Sequence, residues 1–333
     1  MNHELVAEYL ANTKAPVQLV KHFDEVIDKH KVYPLGAQVK HDGVYVLAVV
    51  IDEVVKLYGR TGLKLFWQAD DVMICGTKDD QIANYNRDPH LKDGVYIGEF
   101  CNAKYTLEQL SGFLNPNRKK EWEDEDFDQL MTMSDIYMHD YLTFDELLGG
   151  HSERPYIERH KILSKRMYQA NLSSWVIPYQ LVLSAEGADE FAQRVIDKGG
   201  EGAVIKRLDA DWVSGHKGYR VMKIVRGVSL DLLCTGVLLG KGKRTGQIAA
   251  LEFEFKGNKF KADLGKGWTD ERRAELTKEY NIYIKYHQED STIKHPLIGN
   301  IWEVKALDIS STGKALRLPK VVRVRWDKDV PDA

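Results

Sequence analysis

The stretch Gln38-Val39-Lys40-His41-Asp42-Gly43-Val44-Tyr45 places a lysine shortly before an acid and a glycine, and the apolar run Val44 to Ile51 follows at once. The run predicts a strand, so Lys40 would stand at its start with the amine facing a cleft. A free lysine has a pKa of about 10.4, and holding it neutral at pH 7 costs roughly 4–5 kcal/mol unless cations, a metal ion or desolvation depress the pKa. Such a position suits a lysine nucleophile, although a lysine before Asp-Gly is by itself more often a solvated residue entering a type I′ turn.

Length and composition describe a folded globular protein. The 333 residues are 43% hydrophobic and 10% aromatic, which suits one large domain or two ordinary ones. No apolar run approaches the ~20 residues that span a bilayer, and the start Met1-Asn2-His3-Glu4 lacks the features of a signal peptide. We therefore expect a cytoplasmic protein, in the host cytoplasm if the source is viral, with no membrane partner. The cysteines Cys75, Cys101 and Cys234 are too few and too scattered for a disulfide framework or a Cys-x-x-Cys zinc site.

Charge is distributed unevenly along the chain. The net charge of −3 alone argues against a nucleic-acid binder. However, residues 228–333 carry 19 lysines and arginines against 15 acids, whereas residues 1–227 carry 28 against 35. The basic C-terminal third is typical of a part that approaches phosphates, although a solvated surface gives the same pattern.

Periodicity divides the first two thirds of the chain into mixed elements. Helices are predicted at 3–11 and 17–31, and residues 112–130 are predicted to form a surface loop. The remaining predicted elements are a hairpin of strands 44–51 and 54–58, a strand 94–100, a buried ring-rich segment 136–142, a helix 188–198, and strands after Gly202 and at 219–225.

Several charged residues stand beside glycines or at strand ends. Arg60 lies in Gly59-Arg60-Thr61-Gly62, where the backbone can approach a ligand closely, and Glu99 ends a strand. In Glu201-Gly202-Ala203-Val204-Ile205-Lys206, strand alternation puts Val204 and Lys206 on one face. We expect one cleft to contain these charges and the nucleophile, although each could separately be a solvated residue; the predicted set is Lys40, Arg60, Glu99, Glu201, Lys206 and Lys223.

From Val228 the pattern changes to short strands with glycine turns. Strands at 230–239, 247–256, 259–264, 300–308 and 320–326, with a helix near 270–280 capped by Thr269, predict a small barrel of the OB type. The basic stretch Gly240 to Gly246 lacks the spacing of a phosphate-binding loop, so it is interpreted as a hairpin turn. Arg323 and Arg325 fall on the same side of the last strand, which suits either a polyphosphate or a charged edge.

The order and spacing of these motifs resemble the covalent nucleotidyltransferases, in particular the compact, bacteriophage-type ATP-dependent DNA ligases. The resemblance runs from about residue 36 to 328 and includes Lys40-x-Asp42-Gly43, Glu201-Gly202-x-Val204-x-Lys206 and Arg323-x-Arg325-x-Asp327-Lys328. It implies an α+β fold: a nucleotidyltransferase (adenylation) domain of antiparallel sheets with flanking helices at 1–226, and an OB-fold barrel at 227–333. The implied protein is a monomer.

The resemblance also implies a reaction. Lys40 would attack the α-phosphate of ATP and become lysyl-AMP, with Mg²⁺ as the metal ion and Mn²⁺ able to substitute. The AMP would pass to the 5′-phosphate of a nick in duplex DNA, and the 3′-hydroxyl would displace it. An RNA ligase or a GTP-dependent RNA capping guanylyltransferase of the same superfamily is the alternative, and a non-catalytic nucleic-acid-binding barrel protein is an alternative of another class.

Roles for single residues follow from the same resemblance. Nucleotide contacts are implied for the following residues: Gln38 at the edge of adenine, Val204 and His139 on the two faces of adenine, Arg60 at the ribose, Glu99 and Glu201 at the ribose or metal ion, Lys206 and Lys223 at the α-phosphate, and Val39 as a further nucleotide-binding residue. The pyrophosphate would be oriented by Arg325, Asp327 and Lys328, and the nick would be bound by Asp42, Tyr45 and Arg60. The chain departs from the family at Tyr45, usually arginine, at Ile97, commonly an acid, and at Val221, usually a second lysine for which Arg220 is a candidate substitute.

Overall fold

The chain divides into two structural units, Met1–Val225 and Arg226–Ala333, at the end of the strand Lys217–Val225. The structure is a computed structural model, and it describes residues 1–71, 91–225, 227–265, 267–287, 294–306, 308–309 and 313–332. Cys101 and Cys234 are free thiols, whereas Cys75 lies outside the described residues. No helix in these ranges is both long enough and apolar enough to cross a membrane.

The first unit combines helices with mostly antiparallel strands. Its helices are α1 (His3–Asn12), α2 (Leu107–Phe113), α3 (Asp124–Met133), α4 (Phe144–Leu148), α5 (Tyr156–Gln169) and α6 (Ala185–Asp197). Its strands are β1 (Leu19–His22), β2 (Leu35–Val39), β3 (Val44–Ile51), β4 (Val54–Tyr58), β5 (Gly94–Asn102), β6 (Ser134–Leu142), β7 (His151–Ser152), β8 (Gln180–Val182), β9 (Gly202–Arg207), β10 (Trp212–Val213) and β11 (Lys217–Val225).

A four-stranded antiparallel sheet with the order β4-β3-β5-β6 is buried on both faces. Val46, Ala48 and Val50 belong to a core that also includes residues of α2, α3 and α5. Leu47 and Val49 point to the opposite face and pack in a core shared with α1. Burial on both faces explains why the sequence of β3 is continuously apolar.

A five-stranded sheet with the order β1-β11-β9-β2-β8 has one apolar and one polar face. The apolar face packs with α6, and its core includes Leu35, Ala37, Ala188, Ala192, Ala203, Ile205 and Met222. On the other face, Gln38 and Lys223 flank Val204 across neighbouring strands. The polar face is the one available for chemistry.

The second unit is a closed five-stranded barrel in which consecutive neighbours are β12 (Val228–Leu239), β13 (Ile248–Phe255), β14 (Asn258–Leu264), β18 (Lys320–Val324) and β15 (Ile301–Ala306). The short pair β16 (Asp308–Ile309) and β17 (Leu316–Arg317) lies outside the barrel sheet. Helix α7 (Asp270–Tyr286) begins at Thr269, whose side chain accepts a hydrogen bond from the Arg272 N–H. The predicted α+β fold with an OB-type barrel is confirmed.

Two local predictions are wrong. Residues 17–31 form strand β1 and two short 3₁₀ turns instead of a helix, because β1 pairs in parallel with β11. Residues 112–130 are not only a loop, since α3 begins at Asp124. The acids at its first turn, which had suggested a solvated run, favour the helix through its dipole.

Candidate active site

Two glycines fix the turn that carries Lys40. Its backbone N–H donates to the Gly202 carbonyl at 2.9 Å, which joins the end of β2 to the start of β9. Gly202 has a φ of +138°, and a Cβ there would lie 2.2 Å from the Ile224 oxygen. A Cβ on Gly43 would lie 2.6 Å from the sulfur of Cys101. Both motif glycines are therefore required by close backbone packing.

The Lys40 side chain is paired with a carboxylate of the neighbouring strand end. Its Nζ lies 2.7 Å from Glu201 Oε2, and the two side chains are only 23% and 14% exposed. The predicted nucleophile and the predicted metal or ribose ligand are therefore in direct contact. The lysine is held in a partly desolvated position rather than in open solvent.

Glu99 faces this pair from the four-stranded sheet. Burial raises its pKa to about 8; Lys40 and Arg60 lower the pKa, whereas Glu201 raises it. Burial also lowers the pKa of Lys223, and Lys40 lowers it further. The structure thus brings together Lys40, Arg60, Glu99, Glu201 and Lys223, as the sequence predicts.

The carboxylates of Glu99 and Glu201 fit a metal ion that binds together with the phosphate groups of a substrate. Besides burial, the charge of Glu201 raises the pKa of the partly buried Glu99 carboxyl, so these carboxylates would be stabilised by a shared cation. Within the described ranges, no group of three or more His, Cys, Asp or Glu residues is arranged to hold a metal ion. Mg²⁺ usually takes one or two carboxylates together with substrate phosphates and waters, so two glutamates are sufficient.

Lys206 lies on strand β9 in the middle of the five-stranded sheet, between Gly36 of β2 and Val221 of β11. It is 2% exposed, and its Nζ lies 3.0 Å from His139 Nδ1 and 3.1 Å from the His139 carbonyl oxygen. The Nζ is also 4.3 Å from the centre of the Tyr156 ring. Burial lowers the pKa of Lys206 to about 7, although Asp140 opposes this. The side chain is cleft-facing but already has protein partners.

Sequence reasoning missed the ion pair beneath Lys206. Arg159 of α5 donates from Nε and Nη2 to the two carboxylate oxygens of Asp140, at 2.9 and 3.0 Å. Arg159 is 2% exposed. One indication of this pair was present in the sequence, because Asp140 lies in the segment 136–142 that is predicted to be buried. Nothing comparable marked Arg159, whose neighbours in the sequence are those of a charged residue on a helix surface.

The four residues predicted to contact the nucleotide at or near its base differ in solvent exposure and in the protein contacts that they already make. Gln38 is 1% exposed and donates from Nε2 to the Ile177 carbonyl at 2.7 Å, so a contact with the base requires this bond to be exchanged. Val39 is 38% exposed. Val204 is partly buried on the cleft face, and His139 is partly buried and bound to Lys206.

Residues predicted at the nick lie around Glu99. Tyr45 is the cross-strand neighbour of Glu99, and burial together with Glu99 raises the pKa of Tyr45 well above its usual value. Arg60 and Asp42 are exposed. A contact that the sequence did not reveal is the stack of His41 on Tyr137, with ring centres 4.1 Å apart. The stack braces the residue directly after Lys40.

Arg220 does not substitute for the lysine missing at position 221. Its Nε and Nη2 donate to Asp211 at 2.7 and 2.8 Å. The cross-strand neighbour of Val221 is Lys206. That sequence prediction is therefore corrected, because strand alternation and the Asp211 pair direct Arg220 away from the cleft face.

In the second unit, the predicted pyrophosphate-binding residues form one network. Arg325 donates from Nη1 to Asp231 at 2.7 Å and from Nε and Nη2 to Asp327 at 2.9 and 2.7 Å. Lys328 Nζ lies 2.5 Å from Asp231 Oδ2 and 3.3 Å from Asp332 Oδ1. Strand β18 ends at Val324, two residues before the predicted strand end at residue 326, and Arg325, Asp327 and Lys328 come after it. Asp231 carried no recognisable motif in the sequence.

Comparison with known proteins identifies relatives of both units. The family model of the ATP dependent DNA ligase domain matches residues 16–224, and that of the DNA ligase OB-like domain matches residues 239–325. The DNA ligase of Methanopyrus kandleri is 30% identical over 192 residues, which is 54% of this chain and 34% of that protein. The chain thus spans about a third of the length of this curated relative.

Solved structures show the same fold. A chain from a structure-function analysis of Lig E DNA ligases aligns with a TM-score of 0.64 and 17% identity, covering 93% of this chain and 98% of that one. The ATP-dependent DNA ligase from bacteriophage T7 in complex with ATP aligns with a TM-score of 0.50 and 15% identity, covering 94% of this chain and 100% of that one.

Proposed function

The chain belongs to the ATP-dependent DNA ligase family, and from that membership we propose that it seals 5′-phosphate/3′-hydroxyl nicks in duplex DNA through a lysyl-AMP intermediate. The observation that carries the proposal is the contact of Lys40 with Glu201 at 2.7 Å, next to Glu99 and Lys223, whose pKa values both respond to this pair. A lysine amine among carboxylates and cations has the surroundings that a covalent nucleotidyl transfer requires.

In the first step, the Lys40 amine loses a proton and attacks the α-phosphorus of ATP. A nitrogen–phosphorus bond forms, and the bond to pyrophosphate breaks. The Lys40–Glu201 pair must open for this attack, since the ion pair occupies the amine. Mg²⁺, with Mn²⁺ able to substitute, would be held by Glu99 and Glu201 together with phosphate oxygens and would neutralise charge on the leaving group.

The remaining cleft residues would position AMP. Lys223 would stabilise the charge that develops on the α-phosphate, and Lys206 would join it by exchanging its bond to His139. Adenine would lie between Val204 and the His139 ring, with Gln38 and Val39 at its edge. The partly buried state of Val204 and His139 supports this location.

The second unit would act on the leaving group. Arg325, Asp327 and Lys328 would orient pyrophosphate, since paired guanidinium and ammonium groups bind phosphate oxygens strongly. The nick would be met by the exposed Asp42 and Arg60 and by Tyr45. The proposed partner is nicked double-stranded DNA, and the proposed state is a cytoplasmic monomer.

A labelled-nucleotide assay tests this function. The wild-type protein should form a covalent adduct with α-labelled ATP but not with GTP, and a chase with nicked DNA should move the label to the 5′-phosphate and then release AMP. Lys40→Ala should form no adduct, whereas Lys198→Ala, at the exposed lysine directly after α6, should label normally. An adduct that persists in Lys40→Ala would remove Lys40 from its role. Labelling with GTP, or sealing only when RNA supplies the 3′-hydroxyl, would favour the superfamily alternatives.

A further inference from the structure

A single carboxylate oxygen joins the two cations assigned to pyrophosphate. Asp231 lies in β12 and is 5% exposed. Its Oδ2 is 2.7 Å from Arg325 Nη1 and 2.5 Å from Lys328 Nζ. In the described part of the chain, Asp231 Oδ1 is buried and has no hydrogen-bond partner. The two cations therefore account for the neutralisation of this carboxylate.

Asp231 is itself fixed by the barrel. It lies opposite Glu303 in the ladder between β12 and β15. Its backbone N–H donates to Asp332 Oδ2 at 2.7 Å, and its carbonyl accepts from the Asp332 N–H at 2.7 Å. By contrast, Asp327 is 65% exposed and follows Arg325 in the same turn, so it moves with the arginine. Asp231 is thus the partner that ties both cations to a rigid strand.

The arrangement leaves donors for a ligand. Arg325 has five N–H donors, and its contacts with Asp231 and Asp327 use three of them. Two N–H groups remain, together with those of Lys328, whose side chain is 34% exposed. A guanidinium held at one edge can present its free N–H groups to a phosphate without reorganising when the ligand arrives.

We propose that Asp231 is a positioning residue for the adenylation step, holding Arg325 and Lys328 as one preorganised unit that meets the pyrophosphate of ATP. The inference rests on the proposed function. It predicts that loss of Asp231 affects formation of lysyl-AMP far more than sealing of a nick that already carries AMP. A residue that only supports the barrel would not separate these two steps.

The experiment compares Asp231→Asn with the wild-type chain in two single-turnover assays. Self-adenylation with labelled ATP should slow by roughly 10- to 100-fold, because misplacing a positioned group by ~1 Å costs up to about 100-fold. Sealing of a pre-adenylated nick should stay within about twofold of wild type. Asp263→Asn is the matched control, because Asp263 is a barrel carboxylate paired with Lys320 at 2.8 Å and has no role in the network. Wild-type adenylation in Asp231→Asn, faster adenylation, or equal loss of both steps would each overturn the proposal.

Removing both cations separates positioning from general support. If Asp231 acts through Arg325 and Lys328, Asp231→Asn in an Arg325→Ala/Lys328→Ala background should cause little further loss of adenylation, whereas a further loss as large as in the wild-type background would contradict the proposal. Asp231→Glu keeps the charge and displaces it by one methylene, so it provides the same comparison if the asparagine variant does not fold. Absence of an adduct in the wild-type chain would instead refute the proposed function.

Discussion

Replacing Glu99 with glutamine should stabilise the protein at high pH and weaken its response to Mg²⁺. Burial raises the pKa of Glu99 to about 8 from its usual 4.5, so the folded protein binds a proton that the unfolded chain releases at lower pH. Stability therefore falls as the pH rises from about 4.5 through about 8. Below pH 4.5 the carboxyl is protonated in both the folded and the unfolded state. Above pH 8 it is ionised in both states, and the stability of the folded protein is lowered by the full amount.

The two pKa values set the size of the effect. At about 1.4 kcal/mol for each tenfold change, the interval from 4.5 to about 8 gives an upper limit of roughly 5 kcal/mol. Because Glu99 is only partly buried, solvent screens part of its charge, and we expect roughly half of this limit, about 2–3 kcal/mol. For a unit of this size, that corresponds to about 5–10 °C in the unfolding midpoint.

The assay is thermal unfolding between pH 5 and pH 9 with a chelator present. The wild-type midpoint should fall more steeply with pH than that of Glu99→Gln, by the difference given above. In a parallel series without chelator, Mg²⁺ with ATP should raise the midpoint at pH 9 more in the wild type than in Glu99→Gln. Glu190→Gln, at an exposed position of α6, should follow the wild-type curve. Parallel curves for wild type and Glu99→Gln would refute the reasoning.

Three further outcomes are expected. Arg325→Ala should slow self-adenylation much more than sealing of a pre-adenylated nick, and equal losses in single-turnover assays would contradict a role at the leaving group. Asp140→Asn should lower the free energy of unfolding in urea by about 3–5 kcal/mol, because the buried Arg159 would lose its carboxylate partner; a loss below 1 kcal/mol would argue against this. Neutralising the three cations of the turn between β12 and β13 should reduce the slope of the logarithm of nick affinity against the logarithm of salt concentration by about 2. Each phosphate contact contributes about 0.9 to this slope, and one of the three cations already pairs with Asp270. An unchanged slope would exclude that turn from the interface. The three cations are Lys241, Lys243 and Arg244.

Local signals in the sequence predicted the parts of the site that depend on backbone geometry. The glycines at positions 43 and 202 mark places where a Cβ does not fit, and this constraint is visible as glycine in the sequence. The hairpin of β3 and β4 turns at Asp52 and Glu53, which both have positive φ. A short turn and its flanking apolar runs are close in sequence, so they could be predicted.

Contacts between distant segments could not be predicted in the same way. Residues 17–31 have helical periodicity, but part of this segment forms strand β1 by pairing with β11. Since β11 lies almost 200 residues later, no local pattern in the sequence reveals this pairing. The partners of Lys206 come from β6 and α5, so its burial depends on tertiary packing. In the sequence, Asp231 is a single acid within a mostly apolar strand. Only the folded structure places Arg325, near the C-terminus, in contact with it. Each of these contacts depends on the fold rather than on a local pattern.

Val221 pairs across the sheet with Lys206, and Val221 is the position where a second lysine is usual in the family. Lys206 belongs to the motif Glu201-Gly202-x-Val204-x-Lys206, which the family carries in addition to that lysine, so Lys206 does not replace it. The cleft therefore keeps one cation on each of two adjacent strands, Lys223 on β11 and Lys206 on β9. Because Lys206 is bound to His139, we infer that nucleotide binding must exchange that contact before both amines face the α-phosphate.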